Sequence, residues 1–199
     1  MIRQGDTIEN PITGEQVTFL KTSAETGGEY VLIETTVAPD GFVAAEHVHP
    51  FQSERFEVLS GEVEFKLDGK TVVARAGDVV MVEPGAAHRF RNIGEEEVRF
   101  MTEVRPALSF ETLLETMFGL AADGKTNAKG MPNPLQAAIF AREFSDVLYF
   151  TRPPLWVQRL LFGVLAGLAR VLGYRGSYPE YMERGPSERV EVEPWTSPV

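Results

Sequence analysis

Between Glu29 and Pro106 the chain alternates. Short runs rich in Val, Phe and Thr (EYVLIETTVAPDG, ERFEVLSG, EVEFKLDGK, TVVARAGD, VVMVEPG and EVRFMTEVRP) set apolar against polar positions and are separated by turn residues. A period of two marks strands with one buried face, and close punctuation joins them into an antiparallel sandwich or barrel. Asp68-Gly69, between EVEFKL and KTVVA, supplies the positive φ that a tight hairpin needs. Val63, Phe65 and Leu67 share one face, as do Val98, Phe100, Thr102 and Val104. Lys66, Arg99 and Arg105 fall opposite, so the predicted interior is apolar and aims no cation inward.

After Pro106 the period becomes helical. SFETLLETMFGLAADG runs from a candidate N-cap at Ser109 to a stop at Gly124, with Phe110, Leu113, Leu114, Met117 and Phe118 at helical spacing. In NPLQAAIFAREFSDVLYF, Asn133 is placed to cap, with Pro134 at the first helical position. A third helix, expected from Pro153 to Gly173, is apolar around most of its circumference and should bury a broad face against the barrel or another subunit. Its uncharged stretch between Arg159 and Arg170 is too short to span a bilayer, so neither a span nor other membrane contact is expected, with an interfacial helix as the alternative. Gly163 and Gly167 would permit close helix contact. The polar, proline-bearing end, ERGPSERVEVEPWTSPV, reads as a mobile tail in which SERVEVE can pair briefly as a strand. The expected organisation is a barrel domain over 1–106, a helical extension over 107–184 docked on the barrel or a dimer partner, and a tail over 185–199.

Length changes this picture little, because 199 residues suit one main domain with an appendage. Charge narrows it. With 29 acidic against 19 basic residues and a net charge of −10, the surface repels polyanions, so no nucleic-acid partner is expected. The absence of cysteine excludes disulfides, thiolate ligands and cysteine nucleophiles. The polar segment MIRQGDTIENPITGEQ lacks a hydrophobic signal core, and a cytoplasmic protein is expected.

The chain has three histidines, two of them in HVHPFQSE. On a strand, His47 and His49 project to one side and can reach one ion. Pro50 ends that strand, and a new one starting at SERFEVLSG faces Glu54, Phe56 and Val58 together. A charged carboxylate in that apolar setting is costly unless a cation compensates it. His88 lies on another strand with Phe90 and Asn92, while Arg89 and Arg91 point away.

These residues resemble the cupin superfamily. Gly41, His47, His49, Glu54 and Gly61 occupy every fixed place of its first motif. Gly77, Gly85, His88 and Asn92 fit the second, where Glu83 stands in place of a proline that here follows at Pro84. The resemblance spans roughly residues 28 to 105 and implies an all-β jelly-roll barrel, to which the pattern above adds a C-terminal α-helical extension. It further implies one divalent transition metal ion held by His47, His49, Glu54 and His88, with Glu54 either a ligand or a base beside the ion. Such a donor set suits Fe, Mn, Ni, Cu or Zn. The apolar interior points to a small, weakly polar aromatic or enolic substrate and, within the family, to a dioxygenase-type oxidoreductase of the quercetinase-like kind. A metal-dependent isomerase or lyase and a non-catalytic binding module are the alternatives. A homodimer is expected, since jelly-roll edges and the apolar helix both need cover.

Overall fold

The computed structural model describes residues 2–183 and 185–192. Its strands are β1 (Asp6–Asn10), β2 (Glu15–Lys21), β3 (Val31–Val37), β4 (His47–Val48), β5 (Ser53–Ser60), β6 (Glu62–Leu67), β7 (Lys70–Arg75), β8 (Val79–Val82), β9 (Ala87–Asn92) and β10 (Val98–Arg105). Helices α1 (Phe110–Ala122) and α2 (Pro134–Glu143) follow, then β11 (Tyr149–Phe150), α3 (Leu155–Val171), α4 (Pro179–Glu183) and β12 (Glu188–Arg189). The strands form two antiparallel sheets, in the orders β12-β1-β2-β3-β10-β5-β8 and β11-β4-β9-β6-β7.

The predicted alternation is realised. On β5, Glu54, Phe56 and Val58 are buried, and on β9 so are His88, Phe90 and Asn92, while Arg89 and Arg91 are exposed. Asp68 and Gly69 both take positive φ and join β6 to β7. Inside the closed half of the barrel, Phe56, Phe65, Phe90 and Phe100 pack with ring centroids 5.0–6.4 Å apart, in the offset and edge-to-face arrangements that aromatic quadrupoles favour.

The cupin motif residues outside the histidines brace the backbone. A Cβ on Gly41 would lie 2.6 Å from Val37 Cγ1 and 2.9 Å from the Thr13 carbonyl, so only glycine fits there. The Asn92 side chain donates to the carbonyls of Val37, Ala38 and Glu96 and accepts from the Gly94 amide. The turn before His88 survives the Glu83-Pro84 order: Ala86 N–H donates to the Glu83 carbonyl and Gly85 N–H to the His49 carbonyl, which ties the second motif to the first.

Several features differ from the sequence reading. The polar N-terminal region forms the hairpin β1–β2, where Val17 and Phe19 are buried in a core shared with Phe110, Phe118, Phe140 and Phe144 of the helical part. That core fills the end of the barrel that the sheets leave open. Ser109 stands at the N-cap of α1 without a side-chain capping bond, whereas Asn133 caps α2 by accepting from the Leu135 and Gln136 amides. The third helix packs on α2 through Ala166 and Ala169 against Ile139, with Gln158 donating to the Phe150 and Pro153 carbonyls, and leaves Trp156, Leu160, Leu161, Val164, Leu168 and Val171 exposed, so that within this chain the broad apolar face is not buried on the barrel. Within the tail, Glu188–Arg189 pairs with β1, and residues 193–199 lie outside the described residues.

Candidate metal centre

Three separate pieces of backbone bring the histidines together. His47 and His49 project from β4 and its end, His47 sits opposite His88 across the β4–β9 ladder, and β11 adds Phe150 on the other side of His47. Ring centroids lie 4.9 Å apart for His47–His49, 4.3 Å for His47–His88 and 5.4 Å for His49–His88. One donor nitrogen from each ring falls within 4.8 Å of the others.

The hydrogen bonds set which nitrogen is free. His47 Nδ1 donates to the Ala45 carbonyl at 2.8 Å, His49 Nδ1 to Val147 at 2.6 Å and His88 Nδ1 to Ala86 at 3.2 Å. A carbonyl only accepts, so each neutral ring carries its proton on Nδ1 and turns the lone pair of Nε2 to the centre, the tautomer a ligating histidine needs. Glu54 Oε2 stands 2.7 Å from His88 Nε2 and 3.7 Å from His49 Nε2. Glu54 Oε2 and His49 Nε2 are both buried without a satisfied hydrogen bond. Buried lone pairs converging on one point form a site for a cation, whether a proton or a metal ion. The donor set therefore fits a divalent transition metal.

The electrostatics point the same way. Burial pushes the Glu54 carboxyl up, but the surrounding imidazoles outweigh it and hold the group at about 2, ionised at any physiological pH. Burial, together with the neighbouring rings, pushes His47 well below the ordinary imidazole range and keeps it neutral. For His88 burial acts downward too, but the Glu54 carboxylate prevails and raises it.

This cluster lines a cavity of about 110 Å³. At roughly 10–15 Å³ per water by this measure, that holds several waters, the bulk of one or two fused rings. Its walls are largely apolar: Phe56, Phe90 and Phe100 come from the barrel, Phe110, Met117 and Phe140 from α1 and α2, and neither lysine nor arginine lines it. The helical part is thus a wall of the cavity, and Val147 orients His49 directly.

Sequence reasoning missed a second polar feature. Glu54 lies opposite Val104, and Thr102 is two residues from Val104. Thr102 lies opposite Ile33, and Thr35 is two residues from Ile33. Thr35 lies opposite Val17, and Glu15 is two residues from Val17. Glu54, Thr102, Thr35 and Glu15 therefore form one diagonal across the inner face of the larger sheet, with neighbours about 7–8 Å apart. All four are buried and line the cavity. The Thr102 hydroxyl has no partner among the described residues. Glu15 accepts from the Thr13 hydroxyl at 2.7 Å, and burial, only partly opposed by that bond, pushes its carboxyl up to about 7. The alternation Glu15, Val17, Phe19 in EQVTF was the signal that would have turned Glu15 inward.

Comparison with known proteins agrees with this architecture. The profile of the Cupin domain family matches residues 33–104. The chain is 32% identical over 93 residues to "Polyketide synthase CurC" of Streptomyces cyaneus, covering 47% of this chain and 60% of CurC. It is 30% identical over 101 residues to "Protein SchB" of Streptomyces halstedii, covering 51% of this chain and 73% of SchB. Among solved structures, a predicted oxalate decarboxylase from Thermotoga maritima superposes with a TM-score of 0.47 at 23% identity, covering 53% of this chain and 98% of that one. The protein belongs to the cupin superfamily and has its double-stranded barrel fold. The family match lies within strands β3 to β10 of the barrel.

Proposed function

We propose that this cupin is a metal-dependent enzyme acting on a small, flat, weakly polar molecule with enolic or phenolic oxygens. In this reading His47, His49 and His88 hold one divalent ion among Fe, Mn, Ni, Cu and Zn, and Glu54 serves as fourth ligand or as proton acceptor. The observation that carries it is the convergence of three imidazole nitrogens and an ionised carboxylate in the lining of a largely apolar cavity without a lysine or arginine. A phosphorylated or carboxylated substrate would call for a lysine or arginine there; a flat aromatic ring does not. A bound ion of this class would polarise a substrate oxygen and leave positions open for water or dioxygen. The protein's own groups do the rest. Phe56, Phe90, Phe100 and Phe110 exclude water and fix the ring plane, and Glu54 is positioned to take the proton of an enol.

The oxidative reading, a dioxygenase, follows from that substrate class. The similarity to CurC favours a second one: a polyketide synthase handles poly-oxygenated carbon skeletons, and a non-oxidative isomerisation or ring-forming step on such a skeleton needs the same polarised oxygen and the same base. Elemental analysis of protein purified without added metal, joined to mass spectrometry of co-purifying molecules, tests the common core. Stoichiometric transition metal with an aromatic or enolic ligand is expected, and a metal-free protein that stays so in excess Fe, Mn, Ni, Cu and Zn overturns it. Turnover of that ligand under air but not under argon selects the dioxygenase, and equal turnover selects the non-oxidative reaction.

The bounds 1–106 for the barrel and 107–184 for the helical part belong to the same proposal, as does a cytoplasmic homodimer. The surface that suits self-association is the seam of edge strands, where Val72 and Val73 of β7 and Val79 and Met81 of β8 are exposed. Light scattering should give a dimeric mass that Val73→Lys with Met81→Lys reduces to a monomer.

A further inference from the structure

Helix α3 presents an unusual face. Trp156 is 71% exposed, Leu160 65%, Val164 71% and Val171 84%, and the spacings of four, eight and fifteen residues from Trp156 set them on one side of the helix. Gly163 and Gly167 lie in the same stripe, with nothing within 4 Å of where their Cβ atoms would be. The opposite side is the buried one: Ala166 and Ala169 pack with Ile139 of α2, and Gln158 donates to the Phe150 and Pro153 carbonyls. No charged residue interrupts the exposed stripe, a composition foreign to a solvated helix.

Charge distinguishes the candidate occupants. Residues 147–179 contain four arginines, Arg152, Arg159, Arg170 and Arg175, and no lysine, aspartate or glutamate. With a net charge of −10 for the chain, the remainder carries −14. All four arginines are exposed, and none is ion-paired among the described residues. Arg159 and Arg170, eleven residues and about three turns apart, line the same edge of the stripe. A second copy docked through this face would bring like charges together. An anionic bilayer surface meets both features: the apolar stripe enters the acyl boundary, Trp156 and the arginines settle at headgroup level, and the acidic remainder faces water.

We propose that α3 is an interfacial membrane helix that docks this protein, without spanning, on bilayers rich in anionic lipid. No helix among the described residues is long and apolar enough to cross a membrane, which agrees with a helix lying in the surface plane. The proposal is independent of the metal-site reading.

The test is flotation of the full chain with vesicles of phosphatidylcholine alone and with 30% phosphatidylglycerol added. Binding at least tenfold stronger to the anionic vesicles, weakened by raised salt, is expected. Leu160→Glu with Val164→Glu should abolish it, and Arg159→Ser with Arg170→Ser should reduce it severalfold. The altered side chains are exposed, so thermal melts and bound metal should match the parent protein. Equal binding to both vesicle types would remove the electrostatic part, and no binding to either overturns the proposal. If the Glu variants instead dissociate a dimer seen by light scattering without lipid, the face belongs to a second copy and the proposal fails.

Discussion

At the scale of single residues the candidate metal site was legible because its information is local: strand alternation puts His47 with His49 and Glu54 with Phe56, and the resemblance to the second cupin motif ties His88 to both. Its orientation was not legible. The carbonyl that fixes His49 belongs to Val147, 98 residues away, and no sequence pattern marks a backbone acceptor. Replacing His47, His49 or His88 by alanine should lower bound metal roughly tenfold or more while leaving a cooperative melt, because the barrel core keeps its own apolar contacts around Val58, Val63, Phe65, Val80 and Val98, which do not line the site. Elemental analysis beside calorimetry checks both halves. Glu15 makes a different prediction. Its pKa near 7 in the folded protein, against an ordinary 4.5, means that the folded state holds a proton the unfolded state releases between those values. The associated stability is fully present below about pH 4.5 and is lost as pH rises through 7, by at most roughly 3 kcal/mol. Glu15→Gln should flatten that part of the stability profile and make the protein more stable than the parent at pH 8, as denaturant titrations across pH would show.

Among elements, those with a strong period were readable and those whose burial is imposed from far away were not. The β6–β7 hairpin and the capped start of α2 follow from Asp68-Gly69 and Asn133-Pro134, both local chemistries. The β1–β2 hairpin escaped because Asp6, Thr7, Asn10 and Glu15 are buried polar residues, satisfied by contacts such as Arg189 with Asp6 and Thr18 with Thr7. Likewise β11 exists only because β4 offers it an edge. Close approaches between elements are equally invisible in a sequence until packing is known. At Gly119 of α1 an added Cβ would lie 2.4 Å from Cγ of Tyr181 on α4. Gly119→Ala should therefore displace that ring and cost about 1–3 kcal/mol, read as a lowered denaturation midpoint. Gly163→Ala, with open space at its Cβ, should be neutral or slightly stabilising through helix propensity.

For the molecule as a whole, the question is whether the barrel is complete without its helices. The sheets alone leave Val17, Phe19, Ile33 and Val104 facing the same core as Phe110, Phe140, Phe144 and Val147. Removing everything after Pro106 would bare those four barrel side chains, at about 1.5–3 kcal/mol for each large one exposed. That loss approaches the whole stability of an ordinary domain. It would also strip β4 of its partner β11 and His49 of its Nδ1 acceptor, so the damage would reach the metal centre. Gln52, fully buried, donates to the carbonyls of Pro106 and Ala107 and would lose the second of these anchors. Residues 1–106 are accordingly expected to aggregate or to melt far below the full chain, and to bind metal more weakly even where soluble. Phe140→Ala offers a milder version of the same experiment. It leaves the chain intact and should cost about 3–5 kcal/mol, with a loss of metal affinity that a purely peripheral helix would not produce. Calorimetry and metal titration of both proteins decide the matter: a truncated barrel as stable and as tightly metallated as the full chain would make the helices an accessory rather than the closing wall of the site.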